Sequence, residues 1–228
     1  MNINILLKIM ESNSHENIEL KNNWLSSYKR HVYSEFGKDG IIEKIFEIIK
    51  DSDPWCVEFG ANDGIFCSNT YNLIINKNYN AVKIEANKKL FKKLENNYLN
   101  NGKVHLINKF INFEGEDKLD NILSKTALPK YFDLISIDID GNDYHIWKSL
   151  TNYRPKIVII EFNPTIPNEV EFIQPKDMTV TQGSSITSIS KLGEEKGYEL
   201  VAITDSNAIF VDRKYYELFN IPDNSIAN

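Results

Sequence analysis

The acids of this chain gather where its apolar runs end. Val57-Glu58-Phe59-Gly60-Ala61-Asn62-Asp63-Gly64 closes a short apolar run on Glu58 and follows it with two glycines four residues apart. Such a stretch reads as a buried parallel strand turning sharply into a loop whose glycines let a ligand approach the backbone. In open α/β sheets that turn is where nucleotide-like cofactors sit. A dinucleotide loop presents Gly-x-Gly-x-x-Gly, so that N–H groups and a helix N-terminus hold a pyrophosphate, and a carboxylate alongside would repel it. Here Gly-x-Gly is missing and Glu58 is present, so the loop favours a ligand with a cationic portion.

S-adenosylmethionine, with its sulfonium and ammonium groups, meets that description. Its contacts are expected from Glu58, Gly60, Ala61, Asn62 and Gly64, and from Glu85 and Ala86 after the run Ala81-Val82-Lys83-Ile84. A carboxylate at a strand end, as Glu85 would be, suits the two hydroxyls of a ribose. Further on, Leu134-Ile135-Ser136-Ile137 leads into Asp138-Ile139-Asp140-Gly141-Asn142-Asp143, and Ile157-Val158-Ile159-Ile160 leads into Glu161-Phe162-Asn163. Clustered carboxylates repel one another unless something positive lies between them. If those two strands are neighbours, Asp138, Asp140, Glu161 and Asn163 meet at one edge, an oxygen donor set suited to Mg²⁺, Ca²⁺ or Mn²⁺. No matching His or Cys set accompanies it, which argues against zinc. Deprotonating an acceptor hydroxyl then has two solutions: a divalent cation on these four residues, or Asp138 or His145 as a general base.

Positioning these groups calls for alternating strands and helices. An amphipathic helix is expected over Ile41–Lys50, stopped by Asp53-Pro54, with strands at 55–59, 81–85, 104–108, 132–137 and 156–161. Helices fall at 68–75, 87–98 and 119–124, and a further one runs from a Ser184 or Ser185 cap to Lys196, stopped by Gly197. Strands at 198–204 and 207–212 joined by Asp205-Ser206 make a closing hairpin. This is an α/β chain: a Rossmann-like, doubly wound, mixed seven-stranded sheet with an antiparallel C-terminal hairpin. The stretch 164–183 is the longest loop, and loops of that length in compact domains usually serve function.

The 228 residues fit one domain, residues 39–228, with 1–38 as an N-terminal extension or cover. A net charge of −6 argues against general nucleic-acid binding. Two cysteines, Cys56 and Cys67, are too few for a disulfide framework or a zinc ribbon and are expected as buried thiols of a cytoplasmic protein. No apolar run approaches the roughly 20 residues of a membrane span. Met1 to Met10 is only briefly apolar and is followed by Glu11, unlike a secretion signal. Nothing in the sequence sets the oligomeric state.

The ordered motifs VEFGANDG, VKIEAN, LISIDIDGNDYHIW and VIIEFNP resemble those of class I S-adenosylmethionine-dependent methyltransferases, and among them the FkbM type that acts on sugar or polyketide hydroxyls. The resemblance spans about Tyr33 to Asp212. It implies that Glu58, Gly60 and Gly64 hold the methionine end, Glu85 the ribose, and that Asp138 faces the transferring methyl group. YSEFGKDGII, from Tyr33 to Ile42, resembles a lead-in segment placing Ser34 and Glu35 near the cofactor mouth. The implied acceptor is a hydroxyl of a sugar, nucleotide-sugar or glycan. Two readings compete: a non-catalytic Rossmann-like binding module, and an NAD-linked oxidoreductase, which the absent Gly-x-Gly-x-x-Gly disfavours.

Overall fold

Residues 22–226 are described by a computed structural model of the chain. Its strands are the apolar runs: β1 (Trp55–Phe59), β2 (Asn80–Ile84), β3 (Val104–Ile107), β4 (Tyr131–Ile137), β5 (Arg154–Glu161), β6 (Tyr198–Ile203) and β7 (Asn207–Asp212). β4 and β5 are buried over nearly their whole length, as continuous Ile, Val and Leu runs require when both sheet faces are covered. β1 to β5 run parallel, and β7 inserts antiparallel between β5 and β6, giving the order β3-β2-β1-β4-β5-β7-β6. This is the mixed, doubly wound sheet that the alternating pattern predicts.

Among the described residues six α-helices cover it: α1 (Lys38–Ile49), α2 (Tyr71–Lys77), α3 (Lys88–Tyr98), α4 (Leu119–Leu123), α5 (Asp143–Ser149) and α6 (Ile186–Glu195). The period-two alternation of β1 divides the core. Val57 and Phe59 pack with Leu119, Trp147 and Ile189 on the α4–α6 side, while Cys56 packs with Ile45, Leu73 and Leu94 on the α1–α3 side.

Several element ends differ from expectation, each for a local reason. α1 begins at Lys38 and stops at Ile49. Its terminator is Lys50 in the left-handed region (φ 55°), whose N–H donates to the Phe46 carbonyl, several residues before Pro54. α2 begins at Tyr71 rather than Ser68, because Ser68, Asn69 and Thr70 are all bonded to the Glu58 carboxylate. α3 and α6 start under side-chain caps, Asn87 accepting from the Lys89 and Leu90 N–H groups and Ser185 from that of Ser188. α6 is followed by Gly197 at φ 76°, as expected of a helix stop.

The expected N-terminal cover falls partly outside the described residues. Of it, a 3₁₀ turn at Trp24–Tyr28 packs on α1 and β6, with Trp24 Nε1 donating to the Phe219 carbonyl at 3.0 Å. The segment 32–34 folds back onto Asp39, whose Oδ2 accepts from the N–H groups of Val32, Tyr33 and Ser34. Among the described residues no helix is long and apolar enough to cross a membrane.

Gly64 is a packing glycine. It sits at φ 81°, and a Cβ there would lie 2.4 Å from Leu94 Cδ1 and 2.6 Å from Tyr98 Cε2 on α3. Gly64→Ala is therefore expected to cost about 1–3 kcal/mol, from overpacking and a left-handed backbone together. A thermal melt checks this, and an unaltered midpoint would show that α3 has room to shift.

Candidate functional site

The sheet order creates the site. The chain runs outward from β1 through β2 to β3, then returns to place β4 on the other side of β1. At such a reversal the loops leaving β1 and β4 diverge and open a crevice above the strand ends. A cavity of about 510 Å³ lies here. Glu58, Gly60, Ala61, Asn62, Glu85, Ala86 and Asp138 line it together, as do Asp140, Glu35 and Cys67. Gly64, Glu161, Asn163 and His145 do not.

Glu58 has a different role from the free carboxylate that the sequence suggests. It is buried, and its neighbour across the β1–β2 register is Lys83, itself completely buried, with which it forms an ion pair. Ser68 Oγ, Thr70 Oγ1 and the Asn69 N–H donate to the same carboxylate at 2.7–2.8 Å. Burial works to raise the pKa of Glu58, but the Lys83 charge and these donors hold it below the usual carboxylate range. Its charge is thus met inside the protein. A cationic ligand would meet it only at the cavity wall.

Gly60 is required by a close approach. At φ 68°, a Cβ on it would fall 1.9 Å from the Asp138 carbonyl oxygen, so the end of β4 crosses directly over the β1 turn. Glu85 holds that turn from the other side: its Oε2 accepts from the Asn62 N–H at 2.8 Å and its Oε1 from the Asn87 N–H at 2.7 Å. A carboxylate oxygen accepts more than one bond, and Glu85 is among the residues that line the cavity.

At the other strand ends, oxygens of Asp138, Asp140 and Glu161 lie within 4.8 Å of one another. Burial raises the Asp138 carboxyl, opposed first by the Lys38 ammonium and then by Asn207, and reinforced by Asp140 and Glu58. Burial also pushes Glu161 up to about 8, with the charges of Asp138, Asp143 and Asp140 adding. Asp143 is raised to about 7 by burial, even though it accepts from the N–H groups of Ile139 and Gly141 and so shapes the loop.

Two expected members stand apart. Asn163 borders a shallow hollow with Asp140 and Glu161, but its Oδ1 is taken by the Thr165 N–H and hydroxyl and its Nδ2 donates to the Gln182 carbonyl. It secures the long loop and has no oxygen turned to the carboxylates. His145, on α5, has Nε2 2.8 Å from the Gln174 carbonyl oxygen and packs against Phe113 and Tyr144. It anchors the same loop and does not line the cavity. Cys67 also departs from expectation: it is half-buried at the cavity wall, in the left-handed region at φ 58°, its thiol donating to Glu35.

Other residues at the site carried no sequence signal. Asn69 and Asn142 are buried at the cavity wall, each with an amide oxygen that has no hydrogen-bond partner among the described residues. Phe66 and Phe110 are more than half exposed at its mouth, and Met178 and Val180 bring the long loop to its edge. Lys38 lies inside an ordinary helical stretch. The acids and the glycine turn of the cavity had a detectable pattern, because they sat at the ends of apolar runs.

Neither a family model nor a curated protein matches the sequence. Solved structures resemble it in fold. The CMeT domain of the citrinin polyketide synthase aligns at 12% identity and TM-score 0.50, over 79% of this chain and 54% of that one. The N-terminal domain of EvdMO1, with SAH bound, aligns at 11% and 0.48, over 79% and 84% of the two chains. The CurJ carbon methyltransferase aligns at 11% and 0.48, over 79% and 56%. The fold is the Rossmann-like methyltransferase fold, with its antiparallel strand inserted beside the last parallel one.

A carboxyl whose folded value is raised gives stability that is full below its unfolded value and lost as pH climbs through the folded one. For Glu161 that window runs from 4.5 to about 8. Across it, the thermal midpoint of the native protein should fall relative to that of Glu161→Gln, both measured in chelator. Parallel pH curves for the two proteins would remove the electrostatic crowding described here.

Proposed function

We propose that the protein is an S-adenosylmethionine-dependent methyltransferase of the FkbM type, transferring a methyl group to a hydroxyl of a sugar, nucleotide-sugar or glycan in the cytoplasm. The catalytic unit is residues 39–228, with 1–38 as its cover. One observation carries the reading. The glycine turn, Glu85 and Asp138, called out at three separate strand ends, border one cavity at the reversal of the sheet.

In this reading Glu85, with its N–H partners fixing both oxygens, accepts from the ribose hydroxyls. Charged hydrogen bonds of this kind contribute about 1.5–3 kcal/mol each. The Gly60 turn brings backbone against the donor, and the unpartnered Asn69 oxygen beside it suits an ammonium group. Methyl transfer is an in-line displacement, so the acceptor oxygen must be aligned with the methyl carbon and relieved of its proton. Asp138 lines the cavity and is the candidate to take that proton. Asp138, Asp140 and Glu161 also fit the oxygen donor set of Mg²⁺ or Mn²⁺. Bound there, such an ion would lower the pKa of an acceptor hydroxyl. Phe66 and Phe110 give the mouth apolar faces against which a sugar ring can lie.

Calorimetry with S-adenosylhomocysteine tests the donor assignment. Binding to the native protein is expected, with no binding of NAD, and Glu85→Ala should weaken it by roughly ten- to a hundredfold. Equal affinity in the two proteins would take Glu85 out of the site, and preference for NAD would overturn the assignment.

A further inference from the structure

Three carboxylates within reach of one another carry a repulsion that some positive charge must offset. The structure holds such a charge. Lys38, at the first position of α1, is 1% exposed, and a lysine is almost never so completely buried unless it is paired. Among the described residues it has no carboxylate within ion-pairing distance; its ammonium instead donates to Asn207 Oδ1 at the start of β7. Asn207 is opposite Glu161 in the β5–β7 register. Its amide sits beside the Asp138 carboxylate, while the buried Nδ2 closes no hydrogen bond among the described residues. Lys38 and Asn207 thus form a polar bridge from α1, behind the cavity wall, to the edge where Asp138, Asp140 and Glu161 meet.

The charges facing Lys38 agree with this. Burial pulls its ammonium below the usual lysine range, and Asp138 is the strongest influence resisting that pull, followed by Glu35, Glu58 and the Cys67 thiol. Glu58 already has Lys83 as its partner, and Glu35 lies with Cys67. Asp138, the strongest of these opposing influences, is the one that stands with Asp140 and Glu161.

We propose that Lys38 is a resident counter-cation of the Asp138–Asp140–Glu161 triad, holding its affinity for divalent ions low in the free protein. It is a positioning residue, acting on the triad through Asn207 and through its own charge. The inference rests on the reading of the triad as a cation site and is independent of the donor assignment. Its chemical consequence is specific: two charges of the same sign at one partly dry sheet edge oppose each other far more than they would in water.

Mn²⁺ alone, titrated into the full chain and followed by electron paramagnetic resonance at constant ionic strength, reads this directly. Lys38→Gln is expected to bind Mn²⁺ about tenfold or more tighter than the native protein. Lys38→Arg, which keeps the charge, should stay close to native, and adding Asp140→Asn to Lys38→Gln should reverse the gain. Lys38→Met, which fills the same buried volume, serves if Lys38→Gln does not fold. Equal affinity in native and Lys38→Gln proteins overturns the proposal, as does an Arg variant that gains as much as the Gln one. Failure of every variant to bind millimolar Mn²⁺ overturns it together with the cation reading. S-adenosylhomocysteine binding, measured on the same proteins, reports separately on the donor site.

Discussion

The ion pair between Glu58 and Lys83 ties together the strands, the loop and the helix start on one side of the cavity. It joins β1 to β2 in register, deep in a sheet where an unpaired charge would be costly. The same carboxylate gathers Ser68, Asn69 and Thr70, so it determines where the glycine turn ends and where α2 can start. Lys83 in turn stands over the ring of Tyr98, whose hydroxyl donates to the Gly64 carbonyl. One buried salt bridge thereby fixes the path of the loop that forms a wall of the cavity. Breaking one partner would leave the other charge buried and alone.

The opposite end of the site works under a different constraint. Parallel strands that end together bring their terminal side chains together, and here those side chains are acids. Loop backbone answers part of that charge, Asp143 taking two N–H groups. Burial first, and then the neighbouring charges, raise the proton affinity of Glu161 and Asp143. The Lys38–Asn207 bridge is the one buried cationic device described at this edge. In the proposed reading, that excess of negative charge is what a sulfonium donor or a metal ion would meet.

The loop 164–183 illustrates how a long connection is held without secondary structure. Asn163, Gln174, Asn142 and His145 each bind loop backbone, and these bonds substitute for a helical or strand ladder. Residues that look chemical in the sequence serve here as anchors. Met178 and Val180 are brought to the cavity edge as a result.

The sequence alone determined the sheet and the places where its acids emerge. Apolar runs of β4 and β5 length have to be buried, their alternation with helical periodicity requires a parallel sheet, and hydrophobic patterning needs no knowledge of distant contacts. Partnership was decided only by the tertiary structure. Nothing local in the sequence shows that Glu58 is consumed by Lys83, that His145 and Asn163 point into a loop, that Gly64 is shaped by α3, or that Lys38 meets the hairpin 169 residues away. A side chain's charge is written in the sequence, but which charge it faces depends on strand order and register, and those are set by the packing of the whole chain.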